Sequence, residues 1–337
     1  MGIILTCLRK HNMSTFRTLF TPTPSQKRIS LSDRILTIGS CFSDAIGSHL
    51  VSNKITCSAN PFGTLYNPFS IHKAVQYAVL NEPVPEDTFL QRNDIFFNYD
   101  FHSEISSLNL SELKTQLKTM ISLSHSFLQN AQWLIITYGT AWVYERADNK
   151  SAVANCHKMP QSLFTKTLMT QKKLLESFGS MYESLKAINS DINVLLTVSP
   201  VRHIKDTLEL NSVSKAVLRV ACHTLTQQYS DVHYFPSYEI MMDDLRDYRF
   251  YKADMIHPTQ LAEEYIFTKF ADQYFNDELR TFMLRWKEIK AALAHKPFHP
   301  ASLPHQQFLK ESLRKLEELK GLVNVDEEIE IVKKQLR

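Results

Sequence analysis

The chain has 337 residues, 44% hydrophobic and 22% charged, with a formal net charge of +3 at pH 7. That provides enough apolar surface for one large domain or two ordinary ones, in the proportions of a soluble globular protein. A charge so small and evenly spread argues against nucleic acid or an anionic membrane as a partner, and no apolar run reaches bilayer-spanning length.

The chain opens MGIILTCLRK, a short apolar patch ahead of its charges, the reverse of a secretory leader. Gly2 and Thr6 fit a myristoylation pattern, and Leu5-Thr6-Cys7 resembles a lipoprotein site, but both patterns are short and arise often by chance. The favoured reading makes Met13 the true start and residues 1–15 a disordered or mis-assigned extension.

Apolar strands then alternate with helical patterns. RILTIG (34–39) reads as a strand, and FSDAIGSHLVS continues it as an amphipathic helix. NPFSIHKAVQYAVLN has Asn67 as N-cap and Pro68 at the first helical position. Residues 111–130 form a helix capped by Ser111, and WLIITYG (133–139) is a second buried strand. Gln161 to Asn189 reads as one long helix, INVLLTVSP (192–200) as a third strand, Asn211 to Tyr229 as a helix, and VHYFP (232–236) as a fourth strand. A helix begins at Pro258. Val-, Ile- and Leu-rich strands separated by helices imply a parallel sheet buried on both faces, hence a doubly wound, three-layer α/β/α domain over residues 16–275. Its ligand site would lie at the carboxyl ends of the strands. Residues 276–337 are charged helices with narrow apolar stripes, broken by PFHPASLPHQQ; such an extension packs on its domain or on a partner, and it could carry an oligomer.

Five cysteines (Cys7, Cys41, Cys57, Cys156, Cys222), with no CxxC pair, argue for reduced thiols and a cytoplasmic setting. Cys222, at helical spacing among apolar residues, reads as core. The histidines are scattered without paired helical spacing, so no metal is expected.

Two places carry chemistry. Ser40 and Cys41 fall where a strand turns into a helix, beside backbone N–H groups that can hold an oxyanion and depress a thiol pKa. Gly-Ser-Cys alone is weak evidence, since small residues suit such turns sterically. Asp254 and His257, three residues apart before a helix, can act as an orienting carboxylate and a general base.

The stretches GSCFS, NPFGTLYNP, TYGTAWVYE, NCHKMP, TVSPVRHIKD and YRFYKADMIHP, in that order, resemble the GSCFA family of the SGNH/GDSL hydrolase superfamily, with Ser43 where the name-giving motif ends in Ala. The resemblance implies a hydrolase fold and acyl chemistry. Asp254 and His257 match the superfamily's final Asp-x-x-His, and Gly63 matches the glycine that supplies an oxyanion donor. Gly139 falls where a Gly-x-Asn-Asp block belongs, but GTAW lacks the Asn; Thr140 then donates only through its N–H or hydroxyl, with Asn67 or Asn155 as substitutes. Laying Ile-Gly-Ser-Cys-Phe over Ile-Gly-Asp-Ser-Leu puts Cys41 at the nucleophile position, with Phe42 beside it and Ser40 as the alternative in a shifted register.

His157, His102 and Arg202 have two readings each: contacts to substrate, or a loop histidine, an edge-strand histidine and a surface partner of Asp206. The expectation is an ester hydrolase or O-acyltransferase acting through a covalent acyl-enzyme on a small-molecule or carbohydrate substrate. No cofactor is required; acyl-CoA would be the donor for a transferase, with Arg202 or Lys158 meeting its phosphates. The rival is a catalytically weak carbohydrate- or ligand-binding protein on the same fold.

Overall fold

A computed structural model describes residues 17–336. The readings made on residues 1–15 lie outside them. Five parallel strands form the central sheet: β1 (Arg34–Gly39), β2 (Thr56–Ala59), β5 (Trp133–Tyr138), β9 (Asn193–Val198) and β10 (Val232–Phe235). Their spatial order is β10-β9-β5-β1-β2. The chain therefore moves from β1 to one side and then returns across it to the other, which creates a topological switch point between β1 and β5.

The five residues after Arg34 in β1 and all six residues of β5 and of β9 are buried, so the apolar runs serve two faces at once. Leu36, Ile38, Leu134 and Leu196 enter the core beneath α2 (Pro68–Leu80), α3 (Leu110–Leu128), α4 (Gln171–Ile188) and α5 (Leu208–Gln228). The alternate residues Ile35, Ile135, Leu195 and Phe235 face α1 (Cys41–Ser52) and α7 (Gln260–Tyr274).

The sequence reading needs several corrections. Helix α3 is capped by the Asn109 side chain, which accepts from Ser111 and Glu112 N–H, so Ser111 lies inside the helix. The segment from Gln161 is not one helix: β8 (Phe164–Leu168) precedes α4, capped by Thr170. β8 joins β6 (Trp142–Arg146) and β7 (Ala152–Val153) in a three-stranded antiparallel sheet. Alternation in β8 is short and only half-exposed, too weak to stand out from the helical pattern that follows it. Strands β3 (Phe89–Arg92) and β4 (Ile95–Asn98) form a hairpin, and His102 follows it in a turn rather than sitting on an edge strand. Pro258 does not start α7; it pairs with Tyr251 in a β-bridge, and Thr259 caps the helix.

A short α6 (Ser237–Glu239) runs on from β10, and α8 (Asp277–Ala294), α9 (Leu303–Leu319) and α10 (Asp326–Lys333) complete the chain. These last three pack on the domain's own core. Leu309, Leu316 and Val325 share an apolar cluster with Phe42 and Ile46. The Trp286 indole donates to the Ser52 carbonyl at 2.8 Å, and Lys54 pairs with Glu328 at 2.7 Å. No helix among the described residues is long and apolar enough to cross a membrane.

Candidate active site

The turn after β1 is built around Gly39. Its φ is +138°, and a Cβ there would lie 2.2 Å from the Thr137 carbonyl oxygen of β5. Only glycine lets the two strand ends approach this closely. Asn60, itself at φ 43°, accepts from Gly39 N–H at 2.8 Å and donates to Asp44 at 2.8 Å, fastening the turn to the first turn of α1.

Ser40 N-caps α1 without a side-chain hydrogen bond, is 0% exposed, and its Oγ is buried with no partner. Cys41, not Ser40, is therefore the nucleophilic side chain that this turn exposes. Cys41 opens the helix and is only partly buried, and the backbone N–H groups of Cys41 and Phe42 favour its thiolate. Burial, then the Asp44 carboxylate, and at longer range Glu263, outweigh them, so the thiol pKa is raised, not depressed as the turn geometry alone predicts. The Phe42 ring is 2% exposed and belongs to the core, leaving only its N–H to face a ligand.

The second half of the candidate site is the loop 252–258, linked to this turn electrostatically through Glu263. Asp254 accepts from His257 N–H (3.0 Å), Ile256 N–H (2.9 Å) and His257 Nδ1 (2.7 Å), and Lys252 N–H donates to the His257 carbonyl at 2.7 Å. Those three bonds to Asp254, the two backbone ones foremost, hold its pKa down to about 2. With Nδ1–H committed to Asp254, Nε2 is the nitrogen left to take a proton. His257 makes no hydrogen bond to Cys41 in this structure; the two share Glu263, whose carboxylate acts on both.

The other candidates divide sharply. Gly63, at φ 69°, has its N–H taken by the Asn60 carbonyl at 2.9 Å, and a Cβ there would meet His102 at 2.8 Å. His102 therefore edges the strap that follows β2, and it pairs with Glu104 at 3.4 Å. Gly139 N–H and Thr140 N–H both donate to the Tyr66 carbonyl, at 2.8 and 3.0 Å, and the Thr140 hydroxyl bonds Ser214. Both N–H groups are thus occupied within the fold, and neither points to a ligand here. Asn67 caps α2 by accepting from Ser70 N–H, and Asn155 accepts from His157 N–H, so their carbonyl oxygens do structural work. His157 is 3% exposed, stacked on Phe97 and bonded to Ser103 and the Asn98 carbonyl; it is an internal loop staple. Arg202 does not pair with Asp206, which binds Lys166 instead.

Lys215, which sequence reasoning missed, and His203, which follows Pro200 at the carboxyl end of β9 where a ligand is expected, complete the floor. Lys215, 1% exposed, donates from α5 to the Gly139 and Ser199 carbonyls at 2.8 and 2.7 Å, capping the ends of β5 and β9. Burial pushes its pKa down to about 7, opposed by the nearby Cys41 thiol. His203 presses its edge against Tyr66, with Nε2 buried and unpartnered; burial first, then Lys215 and His257, lowers its pKa to about 3. A lysine in SVSKAVLRV is indistinguishable in sequence from a solvated helix residue. None of five surface cavities of 270 to 750 Å³ includes Cys41 or His257.

Among solved structures, a family 3 carbohydrate esterase from Clostridium thermocellum aligns over 75% of this chain and 99% of its own, at 9% identity and a TM-score of 0.33. One from Talaromyces cellulolyticus covers 76% and 99%, at 9% identity and 0.33. A Streptococcus pneumonia protein whose description names a platelet activating factor covers 72% and 83%, at 10% identity and 0.37. No curated protein matches the chain. The C-terminal domain of GSCFA domain proteins matches residues 286–337, and the GSCFA family itself matches residues 34–270, the whole sheet and both halves of the site: the chain belongs to the GSCFA family.

Proposed function

We propose that the cleft carries out acyl transfer through a Cys41 acyl-thioester. One observation supports this above the rest: a partly exposed thiol at the first position of a helix, on the switch-point side of a parallel sheet, with an Asp254–His257 pair held in the loop 252–258. His257 Nε2 takes the Cys41 proton as sulfur adds to the acyl carbonyl. The Cys41 and Phe42 N–H groups meet the developing oxyanion. The carbon–oxygen or carbon–sulfur bond to the leaving group then breaks, and the leaving group takes the proton from His257. Water, or an acceptor hydroxyl deprotonated by His257, attacks the thioester and restores the thiol. The substrate is an acyl ester or thioester; acetylated carbohydrates and acyl-CoA are the first donors to try.

Hydrolysis of 4-nitrophenyl acetate by the parent protein, Cys41→Ala, Ser40→Ala and His257→Ala, with intact-mass spectra during turnover, tests it. An adduct on Cys41 and loss of activity in Cys41→Ala and His257→Ala support the reading. An adduct on Ser40 overturns it. A second reading, a ligand-binding protein with little catalysis, draws support from the Tyr66 carbonyl that occupies both N–H groups after β5. It would prevail if neither activated esters nor acyl-CoA gave adduct or turnover while acyl ligands still bound.

A further inference from the structure

We infer that Arg202, Tyr248 and Tyr251 form a subsite for an anionic group, a phosphate or carboxylate, carried by the ligand of this cleft. The guanidinium of Arg202 lies 4.3 Å from the Tyr251 ring centroid and 5.6 Å from that of Tyr248, on the wall of a 270 Å³ pocket floored by Met241. The two rings flank the guanidinium, Tyr251 engaging it through its hydroxyl as well, and the remaining N–H groups are available to a planar or tetrahedral oxyanion.

The charge around it is already sorted. Arg246 is held by Asp243 at 2.8 Å, and Asp247 is engaged by the Arg249 N–H at 2.9 Å and its guanidinium at 3.7 Å. Arg202 has no carboxylate at ion-pair distance among the described residues, although Arg246 and Asp247 line the same pocket. A half-buried cation flanked by two rings, with no carboxylate at ion-pair distance, is ready for an anion from outside.

Its place in the fold ties it to the site. Arg202 follows β9 at the carboxyl edge of the sheet and precedes His203, whose ring packs on the strap. Tyr251 bridges to Pro258, and Thr259 N–H donates to the Phe250 carbonyl at 2.8 Å, so the wall of the subsite and the His257 loop are one hydrogen-bonded unit. Tyr248, 65% exposed, stands at the rim of the pocket.

In calling the ligand a substrate this inference rests on the acyl-transfer reading; the test does not. Titration calorimetry of the full chain at low salt uses inorganic pyrophosphate, inorganic phosphate and glutarate as probes, on the parent, Arg202→Gln, Arg202→Lys, Tyr248→Ala, Asp247→Asn and Cys41→Ser. Saturable binding of one probe is expected, weakened at least tenfold in Arg202→Gln, severalfold in Arg202→Lys and Tyr248→Ala, and tightened in Asp247→Asn. Whether pyrophosphate or glutarate binds better identifies the anion. Unchanged affinity in Cys41→Ser separates the subsite from the acyl chemistry. Tyr248→Ala, at an exposed position, carries the test should Arg202→Gln fail to fold. Equal affinity in parent and Arg202 variants, or no saturable binding of any probe, overturns the inference.

Discussion

The raised pKa of Cys41 makes a prediction that separates two kinds of thiol enzyme. A preformed thiolate–imidazolium pair alkylates at full speed near neutrality, whereas a buried thiol awaiting a base does not. Here burial, Asp44 and Glu263 hold the pKa above the ordinary 9.0, against the two helix N–H groups. At pH 7 the thiolate fraction is therefore below about one in a hundred, from the two-unit gap between pH and pKa. The iodoacetamide rate at Cys41, read by peptide mass spectrometry, should climb close to tenfold per pH unit from 6 to 9 without a plateau. Cys57, Cys156 and Cys222, pushed by burial to about 12, 11 and 12, should lag behind it throughout. Glu263→Gln and Asp44→Asn each remove a repelling charge and move the Cys41 profile to lower pH. A rate already at its plateau below pH 7, or one unmoved by Asp44→Asn, would refute the electrostatic account and restore the preformed ion pair.

Other consequences are equally direct. Gly39→Ala forces a Cβ to 2.2 Å from the Thr137 carbonyl at a positive φ and should destabilise the fold by more than about 3 kcal/mol in urea titrations. His72, fully buried between Tyr138 and Ser177, and His203 are both neutral in the folded chain with pKa values near 3. Their folded pKa values lie below the unfolded one, so stability is complete above pH 6.5 and is lost as pH falls toward 3. By pH 5 each costs about 2 kcal/mol, and His72→Phe should flatten part of that slope. Lys215→Met leaves two buried carbonyls unpaired. The lysine's pKa is lowered from 10.5 to about 7, so between those values the unfolded chain holds a proton the folded chain lacks. The stability gap between parent and Lys215→Met should therefore widen with pH, by about 2 kcal/mol from pH 7.5 to 9; a gap constant with pH would show that the amine stays charged when buried.

The sheet was legible because β1, β5 and β9 are unbroken apolar runs, and the turn because its residues are small. Asp254 and His257 were legible because their pairing is local, three residues apart with one hydrogen bond between side chains. What escaped depends on distance in sequence. Nothing near Lys215 announces that its ammonium ends on carbonyls 76 and 16 residues away. The fate of the Gly139 and Thr140 N–H groups was hidden likewise, since their acceptor, the Tyr66 carbonyl, belongs to the strap after β2. His157 misled for the opposite reason: polar neighbours in sequence suggested a ligand, while the fold surrounds it with Phe97, Ser103 and the Asn98 carbonyl.

On the acyl-transfer proposal, the occupied N–H groups after β5 bear on the choice of sulfur over oxygen as nucleophile. With Gly63, Gly139 and Thr140 N–H all bonded internally, the Cys41 and Phe42 N–H groups at the start of α1, which already act on the Cys41 sulfur, are the donors left to the proposed oxyanion. An oxygen nucleophile in so sparse a setting would need further donors to bring a tetrahedral intermediate within reach. A thiol is the stronger nucleophile once deprotonated, and its thioester is the more easily broken in the second step. The burial that raises the Cys41 pKa then places the burden on the proton acceptor. Asp254, its pKa held down to about 2, keeps Nδ1–H of His257 fixed and leaves Nε2 as the nitrogen that can take that proton.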